Sequence, residues 1–288
     1  MIAHVASAGE DRGRVVLRLS SSGHPSEFAL EAAIRVAQAF QSEIESLFVE
    51  EQELIQLASY PFAREISLSG RHVRALSTAS IERDMRVVAS ALMRRVETMA
   101  RLAEVPVRSR SVRGETVRAL ATACAECGPW NVVALAEPFT PYHGAALREL
   151  FEAVTGTTGI VLVGPRARRT SGPIIAAVED IDRLPGMLRA AERLSGVLPG
   201  EIVVLLIGDG EERARLMEAQ ARLALAGQGD IRIAATALAR GAPAVAAEAL
   251  RRLSGCFVIA QFGGLVVPES DDLRPLAAVL ECPLFLVR

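Results

Sequence analysis

The sequence predicts an α/β protein with two doubly wound, mostly parallel five-stranded sheets, arranged as a pseudo-dimer within one chain. Two observations lead to this fold. Strand-like and helix-like segments alternate along the chain, and their order repeats once, so that Glu43-Ile44 returns as Glu201-Ile202 at an offset of 158 residues. Alternation of this kind is typical of parallel sheets with right-handed crossovers. A single long repeat indicates two similar domains and not a solenoid.

Five apolar segments of the first half are predicted strands, and helices connect them. The strands span residues 14–19, 43–49, 106–112, 131–136 and 159–163. The longest helix, at 78–103, carries an apolar stripe at helical spacing, formed by Ile81, Met85, Val88, Leu92, Val96, Met99 and Leu102. We interpret residues 53–104 as an insertion that the second half lacks. We expect its stripe to form part of an interface with a second chain.

The second half repeats the order of the first. Its predicted strands span residues 173–178, 201–207, 231–238, 257–260 and 283–287. Between the halves, residues 164–173 have the Gly, Pro and Arg content of a linker. The predicted domains are therefore 1–165 and 173–288. Their final strands are apolar edges that would otherwise need covering, and we expect them to pair with each other within the chain.

The composition excludes several functions. The chain has 288 residues and a formal net charge of −2, which argues against a general nucleic-acid binder because such proteins carry a basic surface. All 32 basic residues are arginine, so no lysine forms a Schiff base or binds P-loop phosphates. This bias is typical of a GC-rich bacterial genome. No apolar run approaches the roughly 20 residues that span a bilayer, and no secretory signal opens the sequence, so we expect a cytoplasmic protein without a membrane partner.

The cysteines and histidines do not form a recognisable metal site. Cys124 and Cys127 make a C-x-x-C pattern at the end of a helix whose apolar stripe includes Val117 and Leu120. We interpret both thiols as buried small hydrophobic groups, with a redox or metal pair as the alternative. The four histidines are far apart in the sequence, and no second C-x-x-C completes a zinc site.

Ligands of doubly wound sheets bind beyond the carboxyl ends of the strands, where the strand order reverses. In the predicted topology this point follows strands one and four of each half. The candidate ligand-binding residues there are Ser21, Ser22 and Glu137 in the first half, and Asp180, Gln261, Gly263 and Gly264 in the second.

The doubled five-strand pattern resembles tandem universal stress proteins. The resemblance is carried by the strand Ile-Ile-Ala-Ala-Val-Glu-Asp at 174–180, the corners Arg113-Gly114 and Arg240-Gly241, and the ending Cys-Pro-Leu-Phe-Leu-Val at 282–287. It implies a Rossmann-like fold of the adenine-nucleotide alpha-hydrolase type. In this family the final strands are where subunits pair, and ATP-binding members have a phosphate loop of the form G-x-x-G-x9-G-[ST] after strand four.

The second half departs from the family's ATP site. Asp180, or Glu179, stands where the family has an acidic residue after strand one. Gln261 replaces the first glycine of the phosphate loop, and Gly264 is the only loop glycine that matches. Asp271 and Asp272 lie near the Gly-Ser position, where a carboxylate would cap the following helix and repel a triphosphate.

The first half departs from the pattern as well. Ser21 or Ser22 replaces the acidic residue after strand one. Pro138 and Pro141 lie in the loop after strand four, and a proline has no N–H group to offer a phosphate. The resemblance therefore implies that both ATP sites are degenerate.

We expect a non-enzymatic regulatory or stress-response protein of this type, with no catalytic or metal-binding residue, that acts through protein contacts or an unidentified small ligand. The alternative is a nucleotide-binding regulator that holds AMP, adenosine or ATP in a divergent pocket, with Val49 and Ile207 as further contacts. An enzyme is the third hypothesis, but the synthetase motif H-x-G-H and the pyrophosphatase motif S-G-G-x-D-S are absent. The expected partner is another protein or a second copy, bound through the insertion as a homodimer. A nucleic acid is not expected.

Overall fold

The computed structural model describes residues 13–20, 26–67, 69–126, 131–135, 148–149, 151–153, 157–226, 231–238, 243–267, 276 and 279–287. The predicted site residues Ser21, Ser22 and Glu137 lie outside these ranges, as do Asp271 and Asp272.

The elements of the first half follow the alternation read from the sequence, with a short hairpin added. They are β1 (Arg14–Leu19), α1 (Glu27–Ala39), β2 (Glu43–Glu51), α2 (Gln52–Ser59), β3 (Arg64–Ile66), β4 (Val73–Ala75), α3 (Thr78–Leu102), β5 (Val107–Gly114), α4 (Thr116–Ala125), β6 (Asn131–Leu135) and β7 (Thr157–Leu162). Side-chain caps fix where helices begin. The Ser26 hydroxyl accepts a hydrogen bond from the Ala29 N–H, and the Glu115 carboxylate accepts from two backbone N–H groups of α4.

The second half gives the same order of strands and crossover helices. Its elements are β8 (Ile174–Val178), α5 (Leu184–Ser195), β9 (Ile202–Asp209), α6 (Glu211–Ala224), β10 (Ile231–Leu238), α7 (Pro243–Arg252), β11 (Phe257–Gln261) and β12 (Leu284–Val287). One turn of 3-10 helix, Ile181–Arg183, leads into α5.

The main sheet is a single one. Ten strands form it in the order β10-β9-β8-β11-β12-β7-β6-β1-β2-β5. This corrects the expectation of two separate five-stranded sheets. All pairs within a half are parallel, whereas β7 and β12 pair antiparallel and join the halves. The final strands therefore pair as predicted, and the physical reason for the single sheet is that this pairing uses the hydrogen-bonding groups of both edges.

The β7–β12 seam is tightly packed. Leu284 lies opposite Leu162, and Val287 lies opposite Gly159. A Cβ atom at Gly159 would lie 2.6 Å from the Phe285 ring, so only glycine allows the strands to approach this closely. On one face of the sheet, the Phe40 ring of α1 meets Phe285 edge to face at 5.9 Å. The apolar cores on both faces consequently run across the seam.

The α3 stripe is core and not an interface, which corrects the expectation for the insertion. Met85, Leu92 and Val96 are buried inside this chain, whereas Leu102 is exposed. The reason is topological. α3 is the crossover between the parallel strands β2 and β5, as α6 is between β9 and β10, and a crossover helix covers the sheet. The part of the insertion without a counterpart in the described second half is thus α2 and the β3–β4 hairpin.

That remaining segment presents apolar side chains to solvent. The exposed ones are Leu57, Tyr60, Phe62, Ile66 and Val73. The Tyr60 and Phe62 rings stack at 5.3 Å on the surface. A two-stranded hairpin contributes little stability alone, so this patch is not explained by folding.

A buried ion-pair network lies at the amino ends of β1, β2 and β5. Glu45, whose side chain is 1% exposed, has one carboxylate oxygen 2.5 Å from Arg14 Nη1 and the other 2.9 Å from Arg110 Nη2. Arg14 also pairs with Glu43, and Arg110 with Glu126. Each buried charge thus has an opposite partner, which is what makes its burial tolerable.

Replacing Glu45 with alanine should lower the free energy of unfolding by about 3–5 kcal/mol, because Arg14 and Arg110 then lose the buried carboxylate that they share. Urea unfolding followed by circular dichroism measures this. The control is Glu218→Ala, which removes the exposed helical pair with Arg222 and should cost less than about 1 kcal/mol. Similar losses in the two variants would contradict the network's role.

Replacing Leu92 with aspartate should unfold the protein, because an unpaired carboxylate in the core costs several kcal/mol, about 4 or more. Val87→Asp, on the solvent side of α3, should leave the protein folded. Circular dichroism with light scattering distinguishes the outcomes. A folded, monomeric Leu92→Asp variant would instead return the stripe to an interface role.

Candidate functional site

The ligand-binding residues predicted for the second half lie together at the carboxyl ends of its strands. β8 lies between β9 and β11, so the strand order reverses between β8 and β11. Ala177 is paired with Ala260, which brings the end of β8 beside the chain that leaves β11. Ile207 lies on the other neighbour, one residue beyond the pair of Val178 with Leu206. The switch point therefore exists where the sequence predicted it.

A carboxylate of the chain itself fills this point. Glu179 follows β8, and its side chain accepts hydrogen bonds from the backbone N–H groups of Leu265 and Val266. The distance from Val266 N to Glu179 Oε1 is 3.0 Å. Two successive N–H groups directed at one anion form the concave backbone arrangement that binds phosphates and other anions in many proteins. Here the anion is supplied internally.

The chain from Phe262 to Val267, named here the 262–267 loop, is shaped to receive that carboxylate. Gly263 has φ +82°, a left-handed conformation that favours glycine, and its N–H donates to the Val267 carbonyl at 2.8 Å. Gly264 lies directly against the carboxylate, because a Cβ atom there would be 2.7 Å from Glu179 Oε1. The loop thus requires glycine at two successive positions for different reasons.

The first half holds the 262–267 loop in place. Phe151 is buried, and its ring stacks on Phe262 with centroids 4.3 Å apart. Phe262 also donates its backbone N–H to the Val287 carbonyl at the end of β12. Both contacts are made by Phe262, so they anchor the amino end of the loop, before the Glu179 contact.

Burial raises the pKa of the Glu179 carboxyl above its ordinary value, and the hydrogen bonds from the Leu265 and Val266 N–H groups oppose that rise. Desolvation is the larger of these causes. The carboxylate is held by two neutral backbone N–H groups.

The other predicted residues have mixed outcomes. The Asp180 carboxylate accepts a hydrogen bond from the Asp182 N–H at 3.1 Å and so caps the 3-10 helix that follows β8. It is therefore directed at this turn and not at the 262–267 loop. Ile207 and Val49 are buried in the core. Gln261 ends β11, and its Oε1 atom is buried without a hydrogen-bond partner among the described residues. A buried acceptor of this kind costs about 1–3 kcal/mol when nothing donates to it.

The first-half switch point is described only in part. Arg18 lies at the end of β1 with 8% of its surface exposed, and its Nη2 atom donates to Glu51 Oε1 at 3.3 Å. Ser20, which follows β1, is buried. The predicted residues Ser21, Ser22 and Glu137 lie outside the described residues.

The cysteines that the structure describes are all buried. Cys124 is buried in the core, as the apolar interpretation predicted, and Cys127 lies outside the described residues. Burial raises the pKa of the Cys256 thiol, and that of Cys282 to about 12, so neither supplies a thiolate at neutral pH. Within the described ranges, no three metal-ligating side chains come together, and no helix has the length and apolar character to cross a membrane.

Comparison with solved structures gives the fold. The chain is similar to a universal stress protein from Archaeoglobus fulgidus DSM 4304 (TM-score 0.61, 13% identity, covering 95% of this chain and 96% of that one). A candidate universal stress protein from Pseudomonas aeruginosa UCBPP-PA14 has TM-score 0.57 and 15% identity, with 97% and 93% covered. The chain has the universal stress protein fold.

The same fold also occurs as one domain of a transporter. The cytoplasmic domain of a prokaryotic cation chloride cotransporter matches with TM-score 0.55 and 11% identity, covering 96% of this chain and 95% of that domain. No family model and no curated protein matches the sequence. At these sequence identities, the likeness shows the fold alone.

The role of Glu179 was missed by the sequence analysis, which weighed it only as a substitute for Asp180. Side-chain alternation gave no signal, because β8 is buried on both faces and so does not distinguish Glu179 from Asp180. What the sequence could not show is that the 262–267 loop folds back over this carboxylate.

Stability should depend on pH through Glu179. Because its folded pKa is raised, the protonated form is favoured in the folded state, and stability is lost as pH rises through that pKa. Lowering the pH from about 7 to about 5 should therefore stabilise the wild type relative to Glu179→Gln. The exposed control Glu212→Gln should show no such trend. If the free energies of unfolding of the wild type and of Glu179→Gln, measured in urea, change in parallel with pH, the prediction is wrong.

Proposed function

We propose that this protein is a non-enzymatic, cytoplasmic regulator of the universal stress protein type, with a degenerate nucleotide pocket in its second half. The observation that carries this proposal is the Glu179 carboxylate, bound to the Leu265 and Val266 N–H groups after the fourth strand of that half. A nucleotide phosphate would need the same donors. A negatively charged occupant excludes it both by volume and by repulsion.

A role through protein contacts has two supports. One is the exposed apolar patch of α2 and the β3–β4 hairpin, which folding does not explain. The other is the fold neighbour that forms the cytoplasmic domain of a cotransporter, where this fold belongs to a larger protein. The partner proposed here is another protein or a second copy of the chain, bound at the patch. Fold alone does not give function, so the patch itself carries the inference.

A second candidate is a regulator that binds a small adenine compound without a triphosphate, such as AMP or adenosine. The unpartnered Gln261 Oε1 atom favours it, because a ligand N–H or O–H would satisfy that buried acceptor. Adenosine brings no phosphate to compete with Glu179.

Calorimetry separates the two candidates. The wild-type protein should show no ATP binding at about 1 mM ligand, since each phosphate contact would have to displace Glu179. A Kd for ATP of about 10 μM or tighter would overturn the degenerate-pocket proposal. If AMP or adenosine binds, Gln261→Leu should abolish the heat, whereas the exposed control Gln56→Leu should not. Binding unaffected by Gln261→Leu would remove the second candidate.

A further inference from the structure

The ten-stranded sheet has β5 at one end and β10 at the other, and no described strand pairs with the outer side of either. A strand at a sheet edge presents backbone N–H and C=O groups to which another strand can add. We propose that the β10 edge is a self-association surface, on which β10 of a second copy pairs antiparallel about a two-fold axis. This goes beyond the function proposed above, because the α2 and β3–β4 patch belongs to the segment between β2 and β5, at the other end of the sheet.

The first support is the composition of the two end strands. β5 reads Val-Arg-Ser-Arg-Ser-Val-Arg-Gly, and charged side chains of this kind commonly protect an edge against pairing. β10 reads Ile-Arg-Ile-Ala-Ala-Thr-Ala-Leu, and Arg232 is its only charged residue. β5 is therefore the protected end of the sheet, whereas β10 is a long apolar edge.

The single charge of β10 is already paired within the chain. The Arg232 Nη2 atom lies 3.2 Å from Glu201 Oε1, and both side chains are half exposed. A guanidinium that keeps its own counter-ion can lie beside a second strand at little cost, because no unpaired charge is brought into the interface.

The symmetry of β10 favours a second copy over a different partner. Residues directly opposite in an antiparallel pair point to the same face of the sheet, so a two-fold axis must pass beside one residue that stands opposite its own counterpart. An axis at Ala234 or Ala235 pairs nearly all of β10 and places two small side chains at the centre. Arg232 then stands opposite residue 236 or 238, a threonine or a leucine, so like charges do not meet.

A second copy would also extend the apolar face of the sheet at this end. Ile231 and Ile233 pack against the core that α6 covers but are only partly buried, and Ala235, which shares their face, is exposed. A two-fold axis normal to the sheet brings the same three side chains of the second copy beside them. Apolar surface that the single chain leaves partly in water is then covered.

The chain already joins two apolar edges in this way. β7 and β12 pair antiparallel, with Leu162 opposite Leu284, and so remove the final strand of each half from the surface. The proposed contact repeats that arrangement between two molecules. A single strand edge buries less area than a standard protein interface, so we expect a reversible dimer with a Kd of about 1–100 μM.

Sedimentation of the full chain over concentrations up to about 200 μM tests the dimer. Ala235→Arg should raise the dimer Kd at least about tenfold, because it places a guanidinium from each copy within one residue of the axis. Position 235 is exposed in the single chain, so this variant should remain folded by circular dichroism. Phe62→Arg, on the α2 and β3–β4 patch, should leave the Kd unchanged.

Three outcomes would overturn the proposal: a monomer at the highest concentration, an Ala235→Arg variant that dimerises like the wild type, or a dimer that only Phe62→Arg dissociates. The last would assign self-association to the patch and so support the proposed function while refuting the β10 contact. Neither variant touches the Glu179 pocket, so the ATP measurement is independent of this one.

Disulfide trapping locates the axis and also covers an Ala235→Arg variant that does not fold. A cysteine at the axis residue has its Cβ atom about 5 Å from that of its counterpart, close to what a disulfide requires. Under mild oxidation, either Ala234→Cys or Ala235→Cys should therefore form a covalent dimer. Val87→Cys, exposed on α3, is the matched control, and the wild type gives the background of the native cysteines. Trapping no greater than in Val87→Cys at both positions would overturn the β10 pairing.

Discussion

The antiparallel pairing of β7 with β12 is the contact on which the architecture depends. Each half ends in an apolar strand at a sheet edge, and an uncovered edge of this kind invites aggregation. Pairing the two edges joins ten strands into one sheet and lets the cores on both faces continue from one half to the other. Gly159 is the local condition for it, because any side chain there would meet Phe285.

The same pairing sets the relation between the two switch points. Since β7 and β12 are antiparallel, the strands of the two halves point in opposite directions. Their carboxyl ends therefore lie on opposite sides of the sheet. The chain that enters β7 therefore starts near the second half's switch point, which explains how Phe151 reaches Phe262. The first half thus supports the loop of the second through the ring of Phe151.

Charge is used differently in the two halves. The first half buries Arg14 and Glu45 and pairs Glu45 also with the partly exposed Arg110, whereas β9 is apolar from Ile202 to Ile207. In the second half, the half-buried Glu179 accepts hydrogen bonds from backbone N–H groups. Paired charges like those of the first half add little net stability, but they penalise any packing that separates them.

The sequence by itself determined the α/β fold class, the order of elements and the position of the second-half switch point, because each follows from periodicity and from the rules of parallel sheets. The pairing of the final strands was expected from their apolar edges and from the resemblance to universal stress proteins. The sequence also indicated that Cys124 is core. Only the tertiary structure decided that the sheet is single, that Met85 and Leu92 face the chain's own core, and that Glu179 and not Asp180 occupies the site. Those outcomes depend on which surfaces meet across long sequence separations, as when a loop 86 residues away directs its N–H group at Glu179. Local pattern carries no information about such contacts.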